Sequence, residues 1–195
     1  MVPAAILLPQ LFLAFGWMRA GVAHAITGHW WSGEEMRNFL AVETDHSIGI
    51  YEPFLTYVVE PLPILTAVVV CVMEIAVGLL LALNIRPTAA LLAGAFLNLH
   101  FVLAGVVNPS AFYLVIALVI MLWRLERTMS ISTSRTVAKV AAGCAGAATL
   151  ILLPFIATPT PDQVIEDPAL VLIFLSLLFA GSTWWTYHRM AFDRV

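Results

Sequence analysis

Between Ile64 and Leu83 the chain carries a single charged residue, Glu74. A charged group at the centre of a membrane-spanning helix costs on the order of 3 kcal/mol on insertion scales, so a residue kept there points to a partner or to chemistry. Three further polar groups interrupt apolar runs in the same way: Arg19 past the midpoint of the first run, and Asn98 and His100 within the third. At about 1.5 Å per helical residue, Arg19 stands roughly 6 Å to the outer side of the middle of its run. The first and third runs point outward and the second inward, which puts all four residues in one slab between the midplane and the outer leaflet. Two readings follow. In one, Arg19 and Glu74 form an internal ion pair, propped by Asn98, that holds three helices in register, although desolvation consumes most of the Coulomb gain. In the other, Glu74 or His100 exchanges protons with a quinone oxygen, while Arg19 keeps Glu74 ionised or stabilises a reduced quinone. Such a pocket opens sideways to lipid, the source of a hydrophobic quinone. Cys71, one turn from Glu74, is the only thiol placed to join it.

Other chemistries fail on depth. A haem between two histidines needs both at one level, yet His24 closes the first run, His100 lies about 9 Å deeper, and His188 belongs to the opposite surface. Metal ligation meets the same obstacle, so no haem or metal site is expected. Cys71 and Cys144 fall about 10 Å apart across the midplane, beyond disulfide reach.

The elements that must position these groups are transmembrane helices. Of 195 residues 62% are apolar, and only 9 basic and 12 acidic residues are present. A soluble domain is closer to half apolar and a quarter charged. The net charge of −3 lacks the basic face of a nucleic-acid reader. Punctuation by Pro, Gly and charge gives six spans in one all-α membrane domain: Pro3 to Ile26, Ile64 to Asn84, Pro87 to Val107, Pro109 to Trp123, Val137 to Ala157 and Ala169 to Tyr187. Backbone groups in lipid must be satisfied within each segment, which demands helices at these lengths. Arg86, then Arg124, Arg127, Arg135 and Lys139, then Arg189 and Arg194 all fall on one side of that layout. By the positive-inside rule this side, with both termini, is cytoplasmic. Residues 27–63 then form a cap on the outer side, with Glu34, Glu35, Glu43, Asp45, Glu52 and Glu60 against Arg37, a net negative charge of five. The uncharged 3–4 turn and the 5–6 loop, with Asp162, Glu166 and Asp167, share that side. Ala23-His24-Ala25 has the look of a signal cleavage site, but no basic region precedes it and Arg19 interrupts the apolar stretch, so the first run is read as a span.

Within the cap, Ser32 as N-cap and Glu35 three residues on predict a short amphipathic helix over Glu34 to Val42, with Met36, Phe39 and Leu40 facing inward. His29-Trp30-Trp31 is placed at the headgroup layer. Tyr51 to Pro63, broken by three prolines, is expected to lie on or dip into the interface. Small residues at four-residue spacing, Gly16 with Ala20, Ala90 with Gly94 and Asn98, and Ala138 with Ala142 and Gly146, mark close helix contacts. Trp184-Trp185-Thr186-Tyr187 forms an inner aromatic belt on a sixth span expected to be peripheral.

Gly16-Trp17-Met18-Arg19-Ala20-Gly21-Val22-Ala23-His24, Trp30-Trp31-Ser32-Gly33, the stretch from Glu74 to Ala90 and that from Asn98 to Asn108 together resemble the DoxX/DoxD-like family of small membrane proteins. The resemblance covers Gly16 to Trp123. Its most specific part is the Glu-x-x-x-Gly helix of Glu74 and Gly78, the turn holding Arg86, and the third helix with Asn98 and its trailing Gly105. It implies a four-helix bundle core, here followed by two further helices. The DoxD branch implies the small subunit of thiosulfate:quinone oxidoreductase, which passes electrons from thiosulfate to a membrane quinone. Where the family commonly has Lys after the Ala-Gly step this chain has His24. The expected function is a quinone-interacting membrane subunit of an oxidoreductase, with Glu74, Arg19 and His100 as catalytic residues and Asn98, Cys71 and His24 around the quinone. The negative cap suggests that a partner subunit supplies the anion site. The alternative, which the family's mixed membership also allows, is a non-catalytic accessory or assembly subunit in a hetero- or homo-oligomer. A permease is the weaker third option, because six helices show no repeat.

Overall fold

The computed structural model describes residues 3–43, 46–157 and 166–192. Asp45, Asp162 and Arg194, used above in the charge pattern, lie outside the described residues. All regular structure among the described residues is helical: α1 Ala4–Ile26, α2 Gly28–Trp31, α3 Glu34–Glu43, α4 Glu52–Phe54, α5 Pro63–Ala82, α6 Pro87–Leu103, α7 Asn108–Thr128, α8 Ile131–Leu152 and α9 Pro168–Phe192. A π-helical turn, Leu55–Val59, follows α4, and a 3-10 turn, Leu153–Phe155, ends α8.

Five of these helices, α1, α5, α7, α8 (with its 3-10 turn) and α9, are long and apolar enough to cross a membrane. The chain is therefore a multi-pass membrane protein. The sixth expected span, α6, has 17 residues, about 25 Å of helix against a hydrocarbon core of about 30 Å. It stops at Leu103, not Val107, because Gly105 takes φ +103° and turns the chain. Three boundaries move the other way, among them the end of α9, at Phe192 and not Tyr187. α7 runs on to Thr128 instead of ending at Trp123, and α8 starts at Ile131, so Arg135 and Lys139 belong to a helix and not to a connection. Ser130 explains the early start: its hydroxyl accepts from the Thr133 amide at 3.2 Å, a local cap that outweighs the polarity of the first two turns. Prolines open α5, α6 and α9, where their missing amide is no loss. The tight turn before α6 holds Asn84 and Arg86 at φ +52° and +42°.

The chain divides into two compact units, 1–117 and 118–195, with the boundary inside α7. In the first, α1 packs along α5. Backbones meet where glycine allows it. A Cβ at Gly78 would stand 2.8 Å from the Met18 amide nitrogen and 2.9 Å from the Ala14 carbonyl oxygen, and one at Gly21 would stand 2.6 Å from Ile75 Cγ1. At the other end of this seam the buried Gln10 amide donates to the Leu81 carbonyl at 2.9 Å and to Asn84 Oδ1 at 3.2 Å. The two helices are not flush. Gly21, near the end of α1, lies against Glu74 and Ile75 at mid-α5, so the first half of α5 continues past α1. There α2 and α3 take α1's place: Trp30 Nε1 donates to the Ala67 carbonyl at 2.8 Å.

α3 covers the expected segment with Met36 and Leu40 buried and Phe39 half-buried. Ser32 takes only part of the expected capping role, accepting from the Glu34 amide at 3.4 Å, while Gly33 makes the turn at φ +73°. The segment between α3 and α4 is tied down at Ile48, whose amide donates to the Leu103 carbonyl at 3.0 Å. In the second unit α8 packs along α9. The buried face of α8 is Ser134, Ala138, Ala141 and Ala145; Ala142 and Gly146, expected in the seam, are exposed. The observed 4-3-4 spacing follows a 3.6-residue period, from which a strict four-residue stripe drifts away.

Candidate functional site

Glu74 projects from the middle of α5 and is 2% exposed. Its partner is His24, in the last turn of α1, with Nδ1 2.7 Å from Glu74 Oε2. The imidazole is itself held. Trp30 stacks on it with ring centroids 3.6 Å apart and planes 8° from parallel, and the bond from Trp30 to Ala67 fixes the indole. The pair therefore rests on three elements, α1, α2 and α5.

Beside it lies a cavity of about 310 Å³, at the small end of the roughly 300 to 1,000 Å³ of ligand sites. Its walls are chiefly apolar and aromatic: Trp17 from α1, Met36 and Phe39 from α3, Phe101 from α6 and Tyr113 from α7. Four polar side chains besides Tyr113 reach it: His24, Glu74, Asn98 and Ser110. Asn98 and Ser110 are 3% and 2% exposed. Tyr113 crosses to α1, where a Cβ at Gly16 would stand 2.7 Å from its Cζ. Gly16, expected to serve a helix seam with Ala20, thus makes room for a ring.

The expected site residues separate. Glu74, His24 and Asn98 converge on this cavity, with Ala20 also in its wall. Arg19 does not pair with Glu74: it is exposed, and among the described residues it forms no ion pair. The reason is angular. The stripe of α1 facing α5 and the cavity is Ala14, Trp17, Gly21 and His24, and at 3.6 residues per turn Arg19 points about 160° away from Gly21. Depth alone ranked Arg19 above His24. His100 also stands apart from the cavity. Its Nδ1 bonds the Tyr51 hydroxyl, with Phe54 and Phe96 around the ring at centroid distances of 5.6 and 4.3 Å. Burial pushes the Tyr51 hydroxyl well above the ordinary tyrosine range, so it stays protonated and donates. Cys71 is buried in the α1–α5 seam, its thiol donating to the Gly21 carbonyl at 3.4 Å, and does not line the cavity. Among the described residues no three His, Cys, Asp or Glu side chains gather as metal ligands would.

Sequence reading missed Trp30, Ser110 and Tyr113. Trp30 was assigned with Trp31 to the headgroup layer, yet Trp30 is 8% exposed and Trp31 43%; the tie to Ala67 is a tertiary contact with no sequence signal. Ser110, just after the Asn108-Pro109 helix start, reads as ordinary turn chemistry.

A buried carboxylate and an imidazole in direct contact can pass a proton between oxygen and nitrogen without movement of either helix. Opening on a ring-lined space, the pair can give a proton to, or take one from, a bound planar ligand. No family model, curated protein or solved structure matches the chain.

Proposed function

We propose that this cavity binds the ring of a lipid-soluble quinone and that the Glu74–His24 pair exchanges protons with it. One observation carries the reading: a carboxylate–imidazole contact at 2.7 Å, the carboxylate 3% exposed, in the wall of an aromatic cavity. Reduction of a quinone consumes two electrons and two protons, and the pair supplies the protons one at a time. The electrons come from a donor oxidised on a partner subunit. In the form that the DoxX/DoxD resemblance implies, that donor is thiosulfate, which gives up the two electrons that the quinone takes. We further propose six crossings, with α6 as the sixth, a four-helix core of α1, α5, α6 and the first half of α7, both termini in the cytoplasm and residues 27–63 outside. The one-sided distribution of Arg86, Arg124, Arg127, Arg135, Lys139 and Arg189 supports that orientation.

The test is binding of decylubiquinone, a short-chain quinone, to the purified full chain in detergent, followed by tryptophan quenching, since Trp17 and Trp30 line the cavity. Saturable quenching that Glu74→Gln weakens is the expected result. Linear, unsaturable quenching of the wild type overturns the reading.

The accessory-subunit alternative draws on a different observation. Ala142, Gly143 and Gly146 are exposed on α8, and a Cβ at either glycine would meet nothing within 4 Å. That leaves a face on which another helix could approach closely. Co-purification of a second chain, lost on Gly146→Leu, together with no quinone binding, is the outcome that favours it.

A further inference from the structure

His24 and Glu74 come from α1 and α5, yet the cavity has a second polar group of different character. Asn98 on α6 and Ser110 in the first turn of α7 are each more than nine-tenths buried, and both line the cavity. Neither side chain has a hydrogen-bond partner among the described residues. Buried polar groups are almost always satisfied, and leaving one unpaired costs about as much as the bond it lacks. The Ser110 amide is also one of the orphan donors that open a helix: its neighbour Ala111 bonds back to Val107, but Ser110 makes no such bond. No lysine or arginine stands in the wall, and one carboxylate does.

We infer that Asn98 and Ser110 form a neutral hydrogen-bonding pole that holds a carbonyl oxygen of an uncharged ring ligand, and that no inorganic anion occupies this cavity. Resting on the quinone reading, this assigns two specificity-determining residues and divides the labour. α1 and α5 handle the proton, α6 and α7 fix the ring by its oxygen, and an anionic donor is oxidised elsewhere. An amide and a hydroxyl recognise a carbonyl through donated hydrogen bonds, whereas an anion here would face the Glu74 carboxylate with no lysine or arginine in the wall among the described residues.

Decylubiquinone and a ring analogue with the same tail but no oxygens are titrated into wild type, Ser110→Ala, Ser110→Thr and Asn98→Leu, with thiosulfate and sulfate as competitors. Loss of one neutral hydrogen bond predicts roughly three- to tenfold weaker quinone binding in Ser110→Ala, recovery in Ser110→Thr and no change for the oxygen-free analogue. Neither anion displaces the quinone. Asn98→Leu shows a similar loss, and if it fails to fold, Ser110→Ala and Ser110→Thr decide alone. Quinone binding that is saturable, weakened by Glu74→Gln and indifferent to Ser110→Ala overturns this inference and leaves the proton pair standing. Displacement by thiosulfate overturns it too. Absence of saturable binding to the wild type removes the quinone reading and this one with it.

Discussion

His24 and Arg19 sit five residues apart in one helix, and the structure gives them opposite roles. His24→Ala leaves the Glu74 carboxylate buried without its partner. Because the imidazole is 29% exposed, water compensates in part, and the expected loss is about 1 to 3 kcal/mol. Arg19→Ala removes a charge from an exposed face of a spanning helix, where it forms no ion pair among the described residues, and is expected to cost nothing or to stabilise. Thermal melts of the two variants in the same detergent check the order; an Arg19→Ala loss as large as that of His24→Ala would restore the ion pair that sequence position favoured. A second histidine makes a titration prediction. His29, fully exposed, has Nδ1 2.6 Å from Glu34 Oε2, and the hydrogen bond and negative charge of Glu34 raise its pKa above 6.5. A raised folded value means that the contact contributes fully below pH 6.5 and fades as pH climbs through the folded pKa. An NMR titration should place the His29 midpoint above 6.5 and return it to the ordinary range in Glu34→Gln.

These residues also mark how far sequence reaches. Glu74 was legible because nothing else charged lies within ten residues of it, and Asn98 because a carboxamide interrupts an apolar run. The Glu74 partner was not. Depth along a helix is read from residue counts, but the choice between Arg19 and His24 depends on azimuth, and that is set by which glycines lie in the seam.

At the scale of elements, six apolar helices were legible from Pro, Gly and charge alone, with errors at ends decided by local hydrogen bonds such as the Ser130 cap. The stagger of α1 against α5 was hidden, since runs of similar length give no sign that one stops beside the middle of the other. That stagger rests on two glycines. In Gly78→Val the new side chain would meet the backbone of Met18 and Ala14, which cannot give way as a flexible side chain can. A loss of about 1 to 3 kcal/mol or more is expected. Gly143→Ala offers the contrast. With nothing within 4 Å of its Cβ, the substitution is expected to be neutral or to stabilise α8 by up to about 1 kcal/mol. A lower melting temperature for Gly78→Val, beside an unchanged or higher one for Gly143→Ala, would show that the seam governs the first position and helix propensity the second.

For the whole molecule, the composition announces a bilayer protein but no boundary within it, whereas the contacts form two units that part inside α7. Around that point, from Leu114 to Trp123, the shared helix is apolar without a break, so no change of composition marks the division. Topology is the prediction proper to this scale. A fluorescent protein that matures only in the cytoplasm, fused after Val195, should fluoresce. A phosphatase active only outside, inserted at Gly49, should report activity. Loss of both signals, with the full-length fusion present in membranes, would invert the orientation drawn from the arginines.

The two cysteines differ in a way that the chain could turn to use. Cys144 is exposed on α8, whereas the thiol of Cys71 is shut between α1 and α5 and bonded to the Gly21 carbonyl. A small thiol reagent that partitions into detergent should therefore reach Cys144 first, and Cys71 only when those helices separate. The unaltered protein thus carries a probe of its own opening, and the slower reaction measures how often the seam beside Glu74 comes apart.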